Sequence, residues 1–141
     1  MAAQTFQVGI KALIRNDRGQ ILMVHIPEWS GTAAHWDLPG GRIDTNESFL
    51  ETLNRELLEE IGIPYKGTPR QLMTFLTNIT IPDIRLPYIF VVYEVKLPSG
   101  HKIKLDPESA EDGYKWFDTI EAANNMVFKF LPEFRNLVRN L

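Results

Sequence analysis

GRIDTNESFLETLNRELLEEIGI, running from Gly41 to Ile63, is the stretch on which the rest of the chain is organised. It reads as a loop feeding a helix that carries Glu56, Glu59 and Glu60 in its last turns. Residues three and four apart on an α-helix share a face, and at about 100° per residue these side chains fall within an arc of roughly 100°. Like charges at that spacing repel by a few tenths of a kcal/mol per pair, and the helix C-terminus disfavours acids further. No lysine follows until Lys66. A local rule broken in one place marks a candidate site, and the physical remedy for several carboxylates on one face is a hard divalent cation such as Mg²⁺ or Mn²⁺. The charge pattern alone is equally compatible with a solvated acidic face.

Working outward, Trp36 to Pro39 reads as a short strand whose end delivers Gly40 and Gly41 to the loop, where two glycines permit close backbone approach and positive φ. Thr45 or Asn46 is the expected N-cap, with Asn46 suited to a left-handed conformation and Glu47 to the positive end of the helix dipole. Phe49, Leu50, Leu53, Leu57 and Ile61 recur at helical spacing as the expected buried stripe, and Gly62 followed by Pro64 stops the helix.

Upstream, Phe6 to Ile14 and Ile21 to Ile26 flank the turn signal Asn16 to Gly19 and predict a hairpin. Pro27 to Ala34 is a loop whose Trp29 either stacks on a base or packs on the sheet edge. Downstream, Gln71 to Ile81 and Tyr88 to Leu97 are β-rich, the second apolar enough for a central strand, with Pro82 to Pro87 breaking them apart. A short strand is expected at Lys102 to Leu105, then an acidic loop at Asp106 to Asp112 and a strand at Tyr114 to Phe117. Asp118 caps a short helix, and a last helix opens near Pro132 and buries Phe134, Leu137, Val138 and Leu141. Strands, helix, strands, helices make an α+β fold with a mixed sheet between helices.

The chain of 141 residues is 44% hydrophobic and 23% charged, which predicts one domain over residues 1–141. A net charge of −3 offers no basic footprint for nucleic acid. With no cysteine there is neither a disulfide framework nor a zinc–thiolate site. No basic-then-apolar leader or run of roughly 18 apolar residues is present, so a cytoplasmic protein without membrane partners is expected. His25, His35 and His101 show no metal-ligand spacing.

The spacing from Gly41, with five residues to Glu47, seven to Arg55 and Glu56, then Leu57, Glu59, Glu60, Gly62 and Ile63, resembles the Nudix box, G-x5-E-x7-R-E-U-x-E-E-x-G-U with U aliphatic. All nine fixed or restricted positions match in one register, and Trp36 to Gly40 looks like the family's lead-in. Elsewhere the likeness is one of layout. The resemblance implies an αβα sandwich and a hydrolase that uses Mg²⁺ or Mn²⁺ to cleave a nucleoside diphosphate linked to another group.

Water attacking phosphorus spreads negative charge over the phosphoryl oxygens, so the chemistry needs cations for that charge and a group to activate the water. By the same resemblance Glu56, Glu59 and Glu60 and the Gly40 carbonyl hold metal, with Glu56 and Glu59 in the catalytic set. Arg55 orients a glutamate, while Glu47, Gly41 and Gly62 support the geometry. The family pattern of an acid upstream of an aromatic strand points to Glu111 as general base, with Glu108 second. Arg42 is the first choice for a phosphate contact, with Arg15 and Arg85 as alternatives. The expected substrate is a nucleoside triphosphate, normal or oxidised. ADP-ribose disfavours itself weakly, since Ile79 stands where some relatives carry proline and Pro82 is too far along. A dinucleoside polyphosphate is a third option, and a non-catalytic nucleotide sensor is the alternative from another class. A monomer or homodimer is expected.

Overall fold

A hairpin joins β1 (Gln7–Arg15) to its antiparallel neighbour β2 (Ile21–Ile26). Its turn is held by Asn16, whose Oδ1 accepts from the backbone N–H groups of Arg18 and Gln20, both at 3.0 Å, while Gly19 takes φ 73°. An asparagine bonding its own backbone two residues on is the physical basis of such turns. The computed structural model describes residues 2–29, 31–81, 84–97, 100–126 and 130–141, with backbone alone at 79–81 and 84–86.

After β2 come β3 (His35–Asp37), β4 (Gly40–Arg42), α1 (Phe49–Ile61), β5 (Arg70–Ile81), β6 (Ile84–Lys96), β7 (Gly113–Phe117), α2 (Thr119–Asn125) and α3 (Pro132–Arg139). The strands form one mixed sheet in the order β3-β2-β1-β6-β5, with β4 paired to β1 and β7 to β2. The β1–β6 ladder is parallel from Gln7↔Tyr88 to Arg15↔Lys96 and lies between antiparallel partners. Central placement of β6 accounts for its apolar run, because both faces are covered.

Two cores sandwich the sheet. On one face Leu53, Leu57 and Ile61 of α1 pack on Ile10, Ala12, Ile14, Leu22 and Val91. On the other, Ala122, Ala123, Phe134 and Val138 of α2 and α3 pack on Leu13, Met23, Phe75, Phe90 and Phe117. The expected αβα layering is therefore present.

Several local expectations change. The N-cap of α1 is Ser48 rather than Thr45 or Asn46, and it forms a reciprocal capping box with Glu51. Asn46 stays outside the helix at φ 70°, the left-handed conformation that asparagine tolerates. Phe49 and Leu50 are 42% and 47% exposed, since they sit in the first turn, ahead of the part of α1 that covers the sheet. In α3, Phe134 and Val138 are buried and Leu137 only partly so, while Leu141, expected in the helix, follows its end and is partly buried. Residues 84–87, expected in a loop, belong to β6; the ladder to β1 starts only at Tyr88, which leaves Pro87 where β6 has one neighbour and a missing N–H is tolerated. Pro82 and Asp83 lie outside the described residues. Lys102 to Leu105 is not a strand: Lys104 N–H donates to Ile61 C=O at 2.9 Å, so this segment satisfies the end of α1 instead of a sheet edge.

Leu57 is fully buried beneath α1. Leu57→Ala is expected to destabilise the fold by about 2–5 kcal/mol through lost transfer energy and the residual cavity. Urea denaturation with an unchanged m-value measures it.

Candidate functional site

Gly40, at φ 143°, begins β4 opposite Lys11, and a Cβ there would strike the Ile10 carbonyl. A Cβ on Gly41 would fall on the Glu56 carboxylate. The two glycines thus let β4 lie flat against β1 and leave the space that the helix acids occupy. At the far end of α1, Gly62 at φ 72° caps the helix, its N–H reaching the carbonyls of Leu57 and Leu58.

Arg55 holds the loop to the helix. Its Nε and Nη2 donate to the two oxygens of Glu47 at 2.7 and 2.9 Å, a bidentate pair of the stronger kind. Nη1 donates to Glu56 Oε1 at 2.9 Å and Glu59 Oε2 at 3.3 Å, and Nη2 also donates to the Arg42 carbonyl at 3.2 Å. Glu47 accepts further bonds from the Asp44 N–H and the Thr52 hydroxyl, both at 3.0 Å. Hydrogen bonds from Arg55, ahead of those from Asp44 and Thr52, hold the Glu47 pKa down at about 2.

The three helix acids share one face but meet different surroundings. Glu59 is exposed. Glu56 is half-buried, and burial pushes its pKa up against the pull of Arg55. Glu60 is 7% exposed and accepts from the Gly40 N–H at 3.0 Å. Burial first, and then the facing carboxylate of Glu111, push the Glu60 pKa up to about 9. Among the described residues no three acids or histidines already converge on one point, because Glu56 and Glu59 face Arg55 while Glu60 turns under towards Gly40.

Glu111 reaches Glu60 because its loop is pinned to β2: Asp112 N–H donates to the His25 carbonyl at 3.1 Å, and the His25 ring meets Asp112 Oδ1 at 2.6 Å. Glu108 is exposed in the neighbouring turn closed by Asp106. Arg42 lies beside the site, lining with Gln7, Asp44, Arg55 and Glu56 a cavity of about 380 Å³. Trp29 is 68% exposed in a tight turn with Thr32, so the sheet-edge alternative for it falls. The side chain of Arg85 lies outside the described residues, and Arg15 lines a different cavity.

Sequence reasoning missed Lys11. Its buried ammonium donates to Asp37 Oδ2 and the Leu38 carbonyl, both at 3.2 Å. Burial alone would lower its pKa, but Asp37, Glu60 and Glu111 together raise it. The signal was a single cation inside the apolar strand run from Val8 to Ile14. A buried lysine needs paired charge, and here the acids of the site supply it.

A mixed sheet between helices, with a glycine-cradled acidic helix clamped by one arginine, defines a domain built to manage concentrated negative charge. A family model described as the NUDIX domain matches residues 5–141, and the chain belongs to the Nudix family. It is similar to the CTP pyrophosphohydrolase of Escherichia coli, 41% identical over 38% of this chain and 39% of that one. It is also similar to an 8-oxo-dGTP diphosphatase of Haemophilus influenzae, 43% identical over 36% and 38% of the two chains. The matched part thus spans under two fifths of either relative's length. The MutT protein of Methanosarcina mazei superposes with a TM-score of 0.68 at 29% identity, covering 99% of this chain and 95% of that one.

Because the folded pKa of Glu47 lies below its ordinary 4.5, its contribution to stability is present above pH 4.5 and is lost as pH falls towards 2. Carboxyl-detected NMR should place the Glu47 titration at about 2, well below a free glutamate, and Arg55→Gln should return it towards the ordinary range. An ordinary titration in the unsubstituted protein would refute the clamp.

Proposed function

We propose that this chain hydrolyses a phosphoanhydride bond in a nucleoside diphosphate linked to another group, with a nucleoside triphosphate cleaved to monophosphate and pyrophosphate as the first choice. The observation that carries the reading is the pair of partly or fully buried carboxylates against the glycine cradle, Glu56 beside Gly41 and Glu60 on the Gly40 N–H, with Glu111 facing Glu60 and Glu60 held protonated at neutral pH. Oxygen donors whose ionisation burial opposes, as at Glu56 and Glu60, fit a hard divalent cation. Glu56, Glu59, Glu60 and the Gly40 carbonyl are the groups we assign to hold Mg²⁺ or Mn²⁺, which when bound supplies charge neutralisation at the phosphoryl oxygens.

The rest falls to the chain's own residues. Arg55 fixes the rotamer of Glu56 and ties the helix to the Glu47 loop. Glu111, across from Glu60, is the acid we assign to accept the proton of the attacking water. We assign Arg42, which lines the cavity beside Glu56, to meet a phosphate, and exposed Trp29 to stack on a base. The triphosphate choice rests on two relatives named for CTP and 8-oxo-dGTP, and on a site whose charged groups address phosphate and not the nucleoside. Among the described residues no helix is long and apolar enough to cross a membrane. A cytoplasmic small-molecule enzyme, monomeric or homodimeric, is the setting we assign.

A coupled phosphate-release assay across nucleoside triphosphates, oxidised purine triphosphates, ADP-ribose and dinucleoside polyphosphates, in Mg²⁺, Mn²⁺ or EDTA, tests the reading. Turnover is expected on triphosphates and absent in EDTA. Glu56→Gln and Glu60→Gln should each lower kcat at least about a hundredfold, a barrier difference of about 2.7 kcal/mol, with circular dichroism unchanged. No turnover of any substrate by the folded protein would sink the assignment.

Thermal melting gives a readout free of activity. A carboxyl with its folded pKa raised from 4.5 to about 9 makes the cation-free protein lose stability as pH rises between those values. Mg²⁺ or Mn²⁺ should raise Tm over EDTA, and the gap should widen from pH 6 to pH 9 as the ion displaces fewer protons. Identical melting curves with and without the ion across that range would refute the cation site.

A further inference from the structure

A second cavity, of about 790 Å³, lies apart from the acid cluster. Its floor is written in the strand register. Arg15 stands opposite Lys96 in the parallel β1–β6 ladder, and Arg70 opposite Glu94 in the β5–β6 ladder. Glu94 and Lys96 are two apart, so all four side chains belong to one face at one end of three adjacent strands. The linker from α1 to β5 forms a wall through Tyr65 and Lys66. The Tyr65 hydroxyl lies so close over Gly67 that a Cβ there would stand 2.7 Å from it, which holds the ring across the linker.

The electrostatics are opposite to those of the chain. Arg15, Lys66, Arg70 and Lys96 line the cavity with Glu94, the one carboxylate among its described residues, in a protein whose formal net charge is −3. Glu94 is 7% exposed and meets Arg15 at 3.7 Å and Arg70 at 3.4 Å, long contacts that orient two guanidinium groups without consuming their donors. Arg15 Nε is buried and has no hydrogen-bond partner among the described residues, although Nη2 reaches the Gly19 carbonyl at 3.4 Å. A buried donor left unpaired is uncommon and calls for an acceptor. Guanidinium forks and ammonium groups converging on one concavity are what phosphate recognition uses. The volume is within the range of small-molecule sites.

We propose that this cavity is a second ligand site that binds the phosphate groups of a small anion, with Arg15, Arg70 and Lys96 as the contacts. It is separate from the acidic site and does not depend on the hydrolase reading. Two sources share the chemistry: free pyrophosphate, and the phosphates of a nucleotide whose base reaches Tyr65.

Isothermal titration in EDTA at physiological salt, first with pyrophosphate and then with a nucleoside monophosphate, tests it. Saturable binding with one site per chain is expected. Arg70→Gln and Lys96→Gln alter exposed side chains that leave the fold intact, and each should weaken binding at least tenfold, as should Arg15→Gln if its melting curve is unchanged. Glu56→Gln, in the other site, should leave the affinity as it was. Tighter binding of the monophosphate, lost in Tyr65→Leu, supports the site and assigns a nucleotide; tighter binding of pyrophosphate, indifferent to Tyr65→Leu, supports it and assigns the inorganic anion. No saturable binding of either probe, or binding that Glu56→Gln abolishes while Arg70→Gln and Lys96→Gln leave it intact, would overturn the proposal.

Discussion

The bidentate bond from Arg55 to Glu47 is the interaction on which the acidic site depends. Without it, the guanidinium that stands between Glu56 and Glu59 would lose its main fixed partner, and Glu47 would be held to the helix by the Thr52 hydroxyl alone. The pair is partly shielded, with side-chain exposures of 28% and 18%, so water screens it less than a surface ion pair. One guanidinium spreads its donors over three carboxylates and a backbone carbonyl, something a lysine could not do from a point charge. The clamp is also incomplete by construction. It reaches Glu56 and Glu59 but not Glu60, whose neighbours are a backbone amide, a second acid and the ammonium of Lys11.

That incompleteness ties the site to the fold around it. Acids near the C-terminal end of a helix oppose its dipole, and α1 has no basic residue in its last turn to offset them. Glu60 is nevertheless held beneath the chain because the apolar stripe of the same helix, Leu53, Leu57 and Ile61, is locked into the sheet. Hydrophobic burial along one side of α1 therefore supports unfavourable electrostatics along the other. The glycines complete the constraint from below, since any side chain at Gly40 or Gly41 would displace β4 or the Glu56 carboxylate.

Most of this was legible in the residues before any coordinates. Period-two and period-3.6 patterns located most strands and helices, and the spacing of glycine, arginine and glutamates singled out the candidate site. Boundaries failed where side-chain chemistry competes at close range. Ser48 outcompeted Asn46 as cap because Glu51 stands three residues on to close the box, while Asn46 was needed at positive φ. Glu111 was reached by resemblance, yet the bond network that delivers it, through Asp112 and His25, is non-local and has no signature in sequence. Lys11 was visible as an anomaly in a strand, but its partners lie on β3, α1 and the loop before β7, and only folding brings them together.

The distribution of charge over the molecule follows from the same topology. Strand β1 carries Lys11, 8% exposed, four residues before Arg15 at the strand's exit. Lys11 is absorbed by carboxylates, so its charge is internal to the acidic site. Arg15 meets one shared carboxylate at 3.7 Å, so its charge is only partly offset and adds to that of Lys96 and Arg70 around the same cavity. A chain with a small net negative charge has thereby separated its signs along one strand. Within roughly a Debye length, about 8 Å at physiological salt, each end of β1 is governed by its own cluster, not by the protein's overall charge. An acidic cluster beside Gly40 and a basic cavity beyond Arg15 therefore present fields of opposite sign on one shared sheet, because the strand that carries both cations gives buried carboxylate partners to Lys11 and leaves Arg15 among other cations.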